Sequence, residues 1–272
     1  MGNQKKIQFV KLIRIILLII FVVCLIRIGQ AYYLSVSHER QQEELRNFLD
    51  YDNSISQENN IANWNNKKFI KENKKIKQGE LSILKKYKTL YQKNNDLVGW
   101  IFIEGTNINY PVMQCEEDAY YLSHNFYKKK DKYGCLYVKE IADVNTPATN
   151  FIIYGHNMKD NSMFGNLEQY KEEIFFKEHA YINFDTLYEE RVYQIISVFQ
   201  TQISKEENGF KYYQFYQADT EEEFLYFYEN IKKIALYDTK VTAEFGDTFL
   251  TLSTCFGQME NVRFVVIAKR IV

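Results

Sequence analysis

From Leu97 onward the chain breaks into short apolar, β-branched and aromatic runs separated by turn formers, and this punctuation limits the possible folds more than any other feature. Eight runs read as strands: 98–104, 108–112, 134–138, 151–154, 181–184, 192–201, 247–254 and 262–268. Only two prolines occur in the whole chain, so little interrupts strand pairing. Eight strands of this length predict a mainly β domain, closed as a barrel or stacked as a sandwich. One helix interrupts them. Thr220 and Glu223 form a capping-box pattern ahead of Phe224, Leu225, Tyr228, Ile231 and Ile234, which recur at helical spacing. That helix falls in a long connection between the run ending near Thr201 and the run beginning near Asp247, a place suited to lining a groove.

The last two runs carry the chemistry. Thr251-Leu252-Ser253-Thr254-Cys255 sets a thiol at a strand end, and residues 256–261, with Gly257 and Asn261, read as the turn of a hairpin. Arg263, a lone arginine in an apolar run, then becomes a neighbour of Cys255. A guanidinium there keeps its charge and offers rigid N–H donors for a thiolate or a developing oxyanion, which suits acyl transfer. A plainer reading stands beside it: a small buried hydrophobe next to an edge-strand charge whose stem packs and whose head reaches water.

A cysteine nucleophile needs an acid/base partner. Of the four histidines, His38 belongs to the segment before the strands, His179 follows a charged stretch, and His124 sits in a tyrosine-rich segment. His156 follows an apolar strand and Gly155 and precedes a polar loop, so it can project at a cleft mouth, although a lone histidine also serves structural ends. Metal is not expected: Cys-x-x-Cys and His-x-x-x-His are both missing, and so are phosphate-loop and dinucleotide glycine patterns, so no cofactor is called for. A net charge of −1 argues against a nucleic-acid partner.

Ahead of the strands, Ile15 to Ile26 is an unbroken apolar run that extends to Ile7 and Ile28 if Lys11, Arg14 and Arg27 snorkel. Lys5, Lys6, Lys11 and Arg14 crowd its N-terminal side, which predicts a cytosolic amino terminus and an exported remainder. Gly29 and Ala31 make a weak cleavage pattern, so an uncleaved anchor in the lipid bilayer is preferred to a signal peptide. Three regions follow: 1–30 as tail and anchor, 31–96 as juxtamembrane helices and linker, and 97–272 as the catalytic domain. Within the second, 37–51 and 67–93 read as helices, the latter with Phe69, Ile76, Leu81, Leu84 and Leu90 on one face, and the Asn-rich stretch 52–66 as a flexible connection. In an exported chain Cys115 and Cys135 are a possible disulfide pair; the expectation is that both are reduced and buried.

Taken together, Thr251 to Cys255, Arg263 and Tyr154-Gly155-His156-Asn157-Met158 resemble the signature of sortases. Gly99-Trp100-Ile101, Tyr110-Pro111-Val112-Met113-Gln114, Tyr120-Tyr121-Leu122 and Phe164-Gly165-Asn166-Leu167 resemble the class B branch, and the likeness runs from about Leu97 to the end.

The resemblance implies a closed eight-stranded barrel with N-terminal helices on its flank and a helix in the long connection before the cysteine strand. It implies transpeptidation: Cys255 attacks the carbonyl after the threonine of an Asn-Pro-x-Thr-like signal on a secreted protein, His156 is the acid/base, and Arg263 steadies the oxyanion or positions substrate. An amine of peptidoglycan or its precursor then resolves the thioacyl-enzyme, on the outer face of the cell membrane of a Gram-positive-type bacterium. Leu122 and Ser253 match groove-lining positions and also have plain readings as core and strand residues. Tyr212 and Tyr213 lie in the long connection, either packing on the signal's proline or forming a solvated pair. Asp118 stands where class B relatives carry an asparagine, which bears on the first residue of the signal. A hydrolytic cysteine protease and a non-enzymatic, anchored wall-binding β-domain are the alternative readings.

Overall fold

Alternating side chains from Leu97 onward do close into a barrel. In the computed structural model, which describes residues 2–64, 82–144, 148–203, 210–256 and 259–272, the strands are β1 (Leu97–Phe102), β2 (Asn109–Met113), β3 (Leu136–Tyr137), β4 (Asn150–Tyr154), β5 (Tyr181–Thr186), β6 (Val192–Gln202), β7 (Phe249–Phe256) and β8 (Met259–Arg270). They pair in the order β1-β2-β3-β4-β7-β8-β6-β5, and β5 returns to β1. The pairs β2–β3 and β4–β7 are parallel; the others are antiparallel.

Strands β7 and β8 run closer together than the sequence predicts. The expected turn at 256–261 shortens, because both strands extend into it. Strand β3 is shorter than the run 134–138, since Gly134 turns in the left-handed region at φ 59°, where a Cβ would lie 2.3 Å from the Tyr121 carbonyl oxygen.

Period two divides each strand between two cores. Phe151, Ile153, Leu250, Leu252, Phe264 and Val266 point into the barrel. Phe249, Val265 and Ile267 point outward, beneath a second apolar layer drawn from the β6–β7 connection. Helix α4 (Glu221–Lys233), numbered after α1 (Gly2–Trp64), α2 (Lys88–Lys93) and α3 (Glu173–Glu178), supplies that layer. Thr220 Oγ1 accepts from the Glu223 N–H at 3.2 Å while Glu223 reaches back to the Thr220 N–H, completing the expected box. The buried face is Phe224, Phe227 and Ile231; Leu225, assigned to it by spacing, is exposed. Phe215 stacks on Phe227 at 3.9 Å, which fixes the preceding chain to the same layer.

The N-terminal portion departs from the sequence reading. Helix α1 continues to Trp64, through most of the Asn-rich stretch expected to be a connection. Neither glycine nor proline falls between Gly29 and Trp64, and Asn costs a helix only about 0.7 kcal/mol per residue relative to Ala. Of the second expected helix, residues 67–81 lie outside the described residues. Beyond them Leu84 is extended (ψ 135°), and only a 3-10 turn, Lys85–Tyr87, and α2 follow. By contact density the chain divides into two units, Met1–Leu45 and Arg46–Val272. The first contains a stretch long and apolar enough to cross a membrane, with mean hydropathy 2.8.

Cys115 and Cys135 are both free thiols. Cys135 is buried, and burial pushes its thiol well up; Cys115 is only half-buried, which corrects the expectation that both are buried.

Candidate active site

Two registers set the site. In the antiparallel β7–β8 ladder Cys255 lies opposite Arg263. In the parallel β4–β7 ladder Tyr154 lies level with Ser253, where the ladder ends; His156 follows two residues on, and its neighbour Asn157 donates a side-chain hydrogen bond to the Cys255 carbonyl. Tyr154, Ser253, Cys255 and Arg263 therefore share the outward parity of the sheet, the face that α4's layer covers farther along. Both Cys255 and His156 are half-buried.

Hydrogen bonds continue past the ladder's end. The Gly155 N–H donates to the Ser253 carbonyl at 3.3 Å, and Thr254 Oγ1 donates to the Gly155 carbonyl at 2.8 Å. Gly155 is required by close approach: a Cβ there would sit 2.3 Å from Leu136 Cδ2 and 2.9 Å from Phe164. The Phe164 N–H donates to the His156 carbonyl at 2.9 Å and closes the loop that follows.

The His156 ring has a defined tautomer. Its Nε2 lies 2.7 Å from the Leu122 carbonyl oxygen, which can only accept, so in the neutral ring the proton sits on Nε2 and Nδ1 is the acceptor. Leu122 ends a 3-10 turn, Tyr120–Leu122, and is itself half-buried. It meets the histidine through its backbone.

Tyrosines pack around these residues. Tyr212 is buried and shares a 2.8 Å hydrogen bond with the Ser253 hydroxyl. Burial pushes its phenol up to about 12 against the opposing pull of Ser253 and Arg263. Tyr137, on β3, is also pushed up to about 12, first by burial and then by Asp118, while Arg263 opposes. Tyr137 and Tyr154 pack at 5.6 Å between ring centroids. Tyr154 and Tyr216 perturb each other's titration, but among the described residues the buried Tyr154 hydroxyl makes no hydrogen bond of good geometry. The segment carrying Tyr212 and Tyr216 is tied to β4: the Asn150 side chain donates to the Phe215 carbonyl at 2.8 Å, and its N–H to the Tyr216 carbonyl at 2.9 Å. Asp118 faces the same wall, accepting from the Glu140 N–H at 3.0 Å and raising both Tyr137 and Tyr216.

Among the sequence-derived residues, Cys255, His156, Arg263, Ser253, Tyr212, Asp118 and the Leu122 backbone thus converge. Tyr213 stands apart. It meets Tyr212 edge-on at 5.5 Å and packs with Phe210 and Ile234 against the α4 layer. The other histidines are held elsewhere: His124 stacks on Tyr120, and His179 bonds the Glu104 carbonyl.

The comparisons decide the family. A model of the sortase domain matches residues 101–271. Sortase B of Listeria monocytogenes is 32% identical over 191 residues, covering 66% of this chain and 72% of the relative. Sortase B of Staphylococcus aureus is 29% identical over 185 residues, covering 67% and 73%. The chain belongs to the sortase family, in class B. Among solved structures, sortase B from B. anthracis in complex with AAEK1 superposes with a TM-score of 0.63 at 35% identity, covering 71% of this chain and 88% of that one. The S. aureus sortase B–substrate complex gives 0.63 at 30% identity, covering 70% and 86%. This sortase is a cysteine transpeptidase.

Sequence reasoning missed several residues that the structure places beside those the sequence singled out. Tyr154 was legible, since it stands two residues before His156 in the same motif. Tyr137 and Tyr216 had no local signal, because strand pairing and the path of a long connection bring them in. Asn157 follows His156, and its side chain reaches the Cys255 carbonyl at 2.9 Å.

Proposed function

We propose that this sortase cleaves an Asn-Pro-x-Thr-like signal after its threonine and transfers the acylated protein to a peptidoglycan amine. Cys255 is the nucleophile, His156 the acid/base and Arg263 the oxyanion or positioning group. The observation that supports this is the pairing of Cys255 with Arg263 across β7 and β8, with the loop that carries His156 tied to the Cys255 carbonyl through Asn157.

The chemistry follows from those side chains. The thiol gives its proton to His156 and the thiolate attacks the threonine carbonyl; Arg263 supplies positive charge where the oxygen becomes anionic. A peptide nitrogen leaves poorly, so the imidazolium protonates it from Nδ1 while its Nε2–H stays on the Leu122 carbonyl. With the acceptor amine bound, neutral His156 removes its proton and the thioester passes to the new amide. Tyr212, Ser253, Tyr137 and Tyr216 offer the walls for the signal, and Asp118 bears on its first residue. Tyr213 contributes by bracing Tyr212.

The apolar stretch of α1 supports a single-pass anchor, with its Lys- and Arg-rich end in the cytosol and residues 97–272 outside the cell. The test is a ligation assay with a quenched Asn-Pro-x-Thr peptide and a diaminopimelate- or glycine-type amine. Amide-ligated product that disappears in Cys255→Ala is expected. Cleavage without ligation at any amine concentration would make the protein a hydrolase.

A further inference from the structure

A side-chain chain of contacts lies behind the nucleophile. Asn157 Nδ2 donates to the Cys255 backbone carbonyl at 2.9 Å and also to the Glu168 carboxylate in a very short bond. Glu168 is held in turn by Lys171 at 2.6 Å. The Glu168 carboxylate belongs to a 3-10 turn, Gly165–Lys171, whose Leu167 and Tyr170 are fully buried in the barrel core. Gly165 at its start permits a close approach, since a Cβ there would lie 2.4 Å from the Met158 carbonyl oxygen. Asn157 itself forms a backbone bridge with Met163. Both ends of the contact are thus on rigid supports.

The location matters because the β4–β7 ladder has ended. Up to Thr254 the two chains are joined through Gly155; at Cys255 the Asn157 amide is the next link, one residue from the acid/base. An amide has two N–H donors, and here one serves the nucleophile's carbonyl and the other a carboxylate fixed by an ammonium. A charge-assisted bond to Glu168 orients the amide more firmly than water would.

We propose that Asn157, oriented by Glu168 and Lys171, is a positioning residue that holds the Cys255 peptide level with the His156 ring. The proposal rests on the reading of Cys255 and His156 as the catalytic pair. Asn157 acts on the geometry of proton transfer and attack rather than on the tyrosine-lined groove. Its loss should therefore lower kcat and leave KM nearly unchanged.

The experiment measures kcat and KM of the full chain in detergent for Asn157→Ala, Glu168→Leu, Glu168→Gln, the double variant Asn157→Ala/Glu168→Leu and Cys255→Ala, with thermal unfolding of each. Asn157→Ala should lose about 10- to 100-fold in kcat, the scale of a small misplacement of reacting groups, with KM within about twofold. Glu168→Leu should lose part of the same factor, and Glu168→Gln, which keeps an oxygen acceptor, should recover most of it. The double variant should be within about twofold of Asn157→Ala alone, because both act through one contact. An unchanged kcat in Asn157→Ala, or a rise in KM alone, overturns the proposal while an inactive Cys255→Ala preserves the catalytic reading. Turnover by Cys255→Ala overturns the reading beneath it. If Asn157→Ala does not fold, the contrast between Glu168→Leu and Glu168→Gln decides: equal rates refute the positioning role.

Discussion

At the scale of single residues, the site depends on what each group can donate or accept. Arg263→Ala should reduce kcat by about 10²–10³-fold if the guanidinium stabilises the oxyanion, and Arg263→Lys should restore only part, since an ammonium cannot reproduce the planar fork. Steady-state kinetics on the ligation reaction checks both. Tyr212→Phe leaves the buried Ser253 hydroxyl without its partner at a cost of about 1–3 kcal/mol, read as a fall in denaturant midpoint. The same phenols set a pH limit. Burial raises Tyr137 and Tyr212 to about 12 from the ordinary tyrosine value of 10.0, so the folded state favours their neutral forms. That stability is complete below pH 10 and is lost as pH rises toward 12, because the unfolded chain ionises first. Alkaline unfolding followed by tyrosinate absorbance should begin above pH 10, and earlier ionisation of every tyrosine in the native protein would contradict it.

At the scale of elements, the hairpin of β7 and β8 and the parallel neighbour β4 carry most of the functional geometry. Gly155→Ala should destabilise the barrel and displace His156, because the added methyl meets Leu136 and Phe164; loss of kcat beyond the fraction unfolded checks the displacement. In α4, Thr220→Ala removes a reciprocal cap worth about 0.5–2 kcal/mol, measurable by denaturation, with little effect on the site at the other end of the sheet face. Much of this was legible in the sequence. Short apolar and β-branched runs between turn formers identified all eight strands, the expected hairpin paired Cys255 with Arg263, and the capping box located α4. The phase of α4 was not, since Leu225 and Phe227 are both apolar and only tertiary packing, against Phe215 and Phe249, selects Phe227. Nor was the helix through the Asn-rich stretch, where residue propensity suggested a connection but no Gly or Pro enforces one. The contacts of Asn157 with Glu168 and of Asn150 with the Phe215 carbonyl span loops whose paths no local pattern encodes.

At the scale of the whole molecule, a helix long and apolar enough to cross a membrane precedes the sortase domain, and the proposed function places that domain outside the cell. The full-length protein should remain in the membrane fraction after an alkaline carbonate wash, and protease added to intact spheroplasts should digest the domain. Release of a shortened soluble form would instead indicate a cleaved signal. The proposed function turns on one atom, the sulfur of Cys255. The most direct measurement is therefore mass spectrometry of the protein after brief exposure to a sorting-signal peptide, with and without an acceptor amine. The expected result is a thioester-linked fragment ending in threonine on the peptide containing Cys255, discharged as ligated product when the amine is added. Peptide cleavage with no adduct on Cys255, or at an equal rate in Cys255→Ala, would contradict the account.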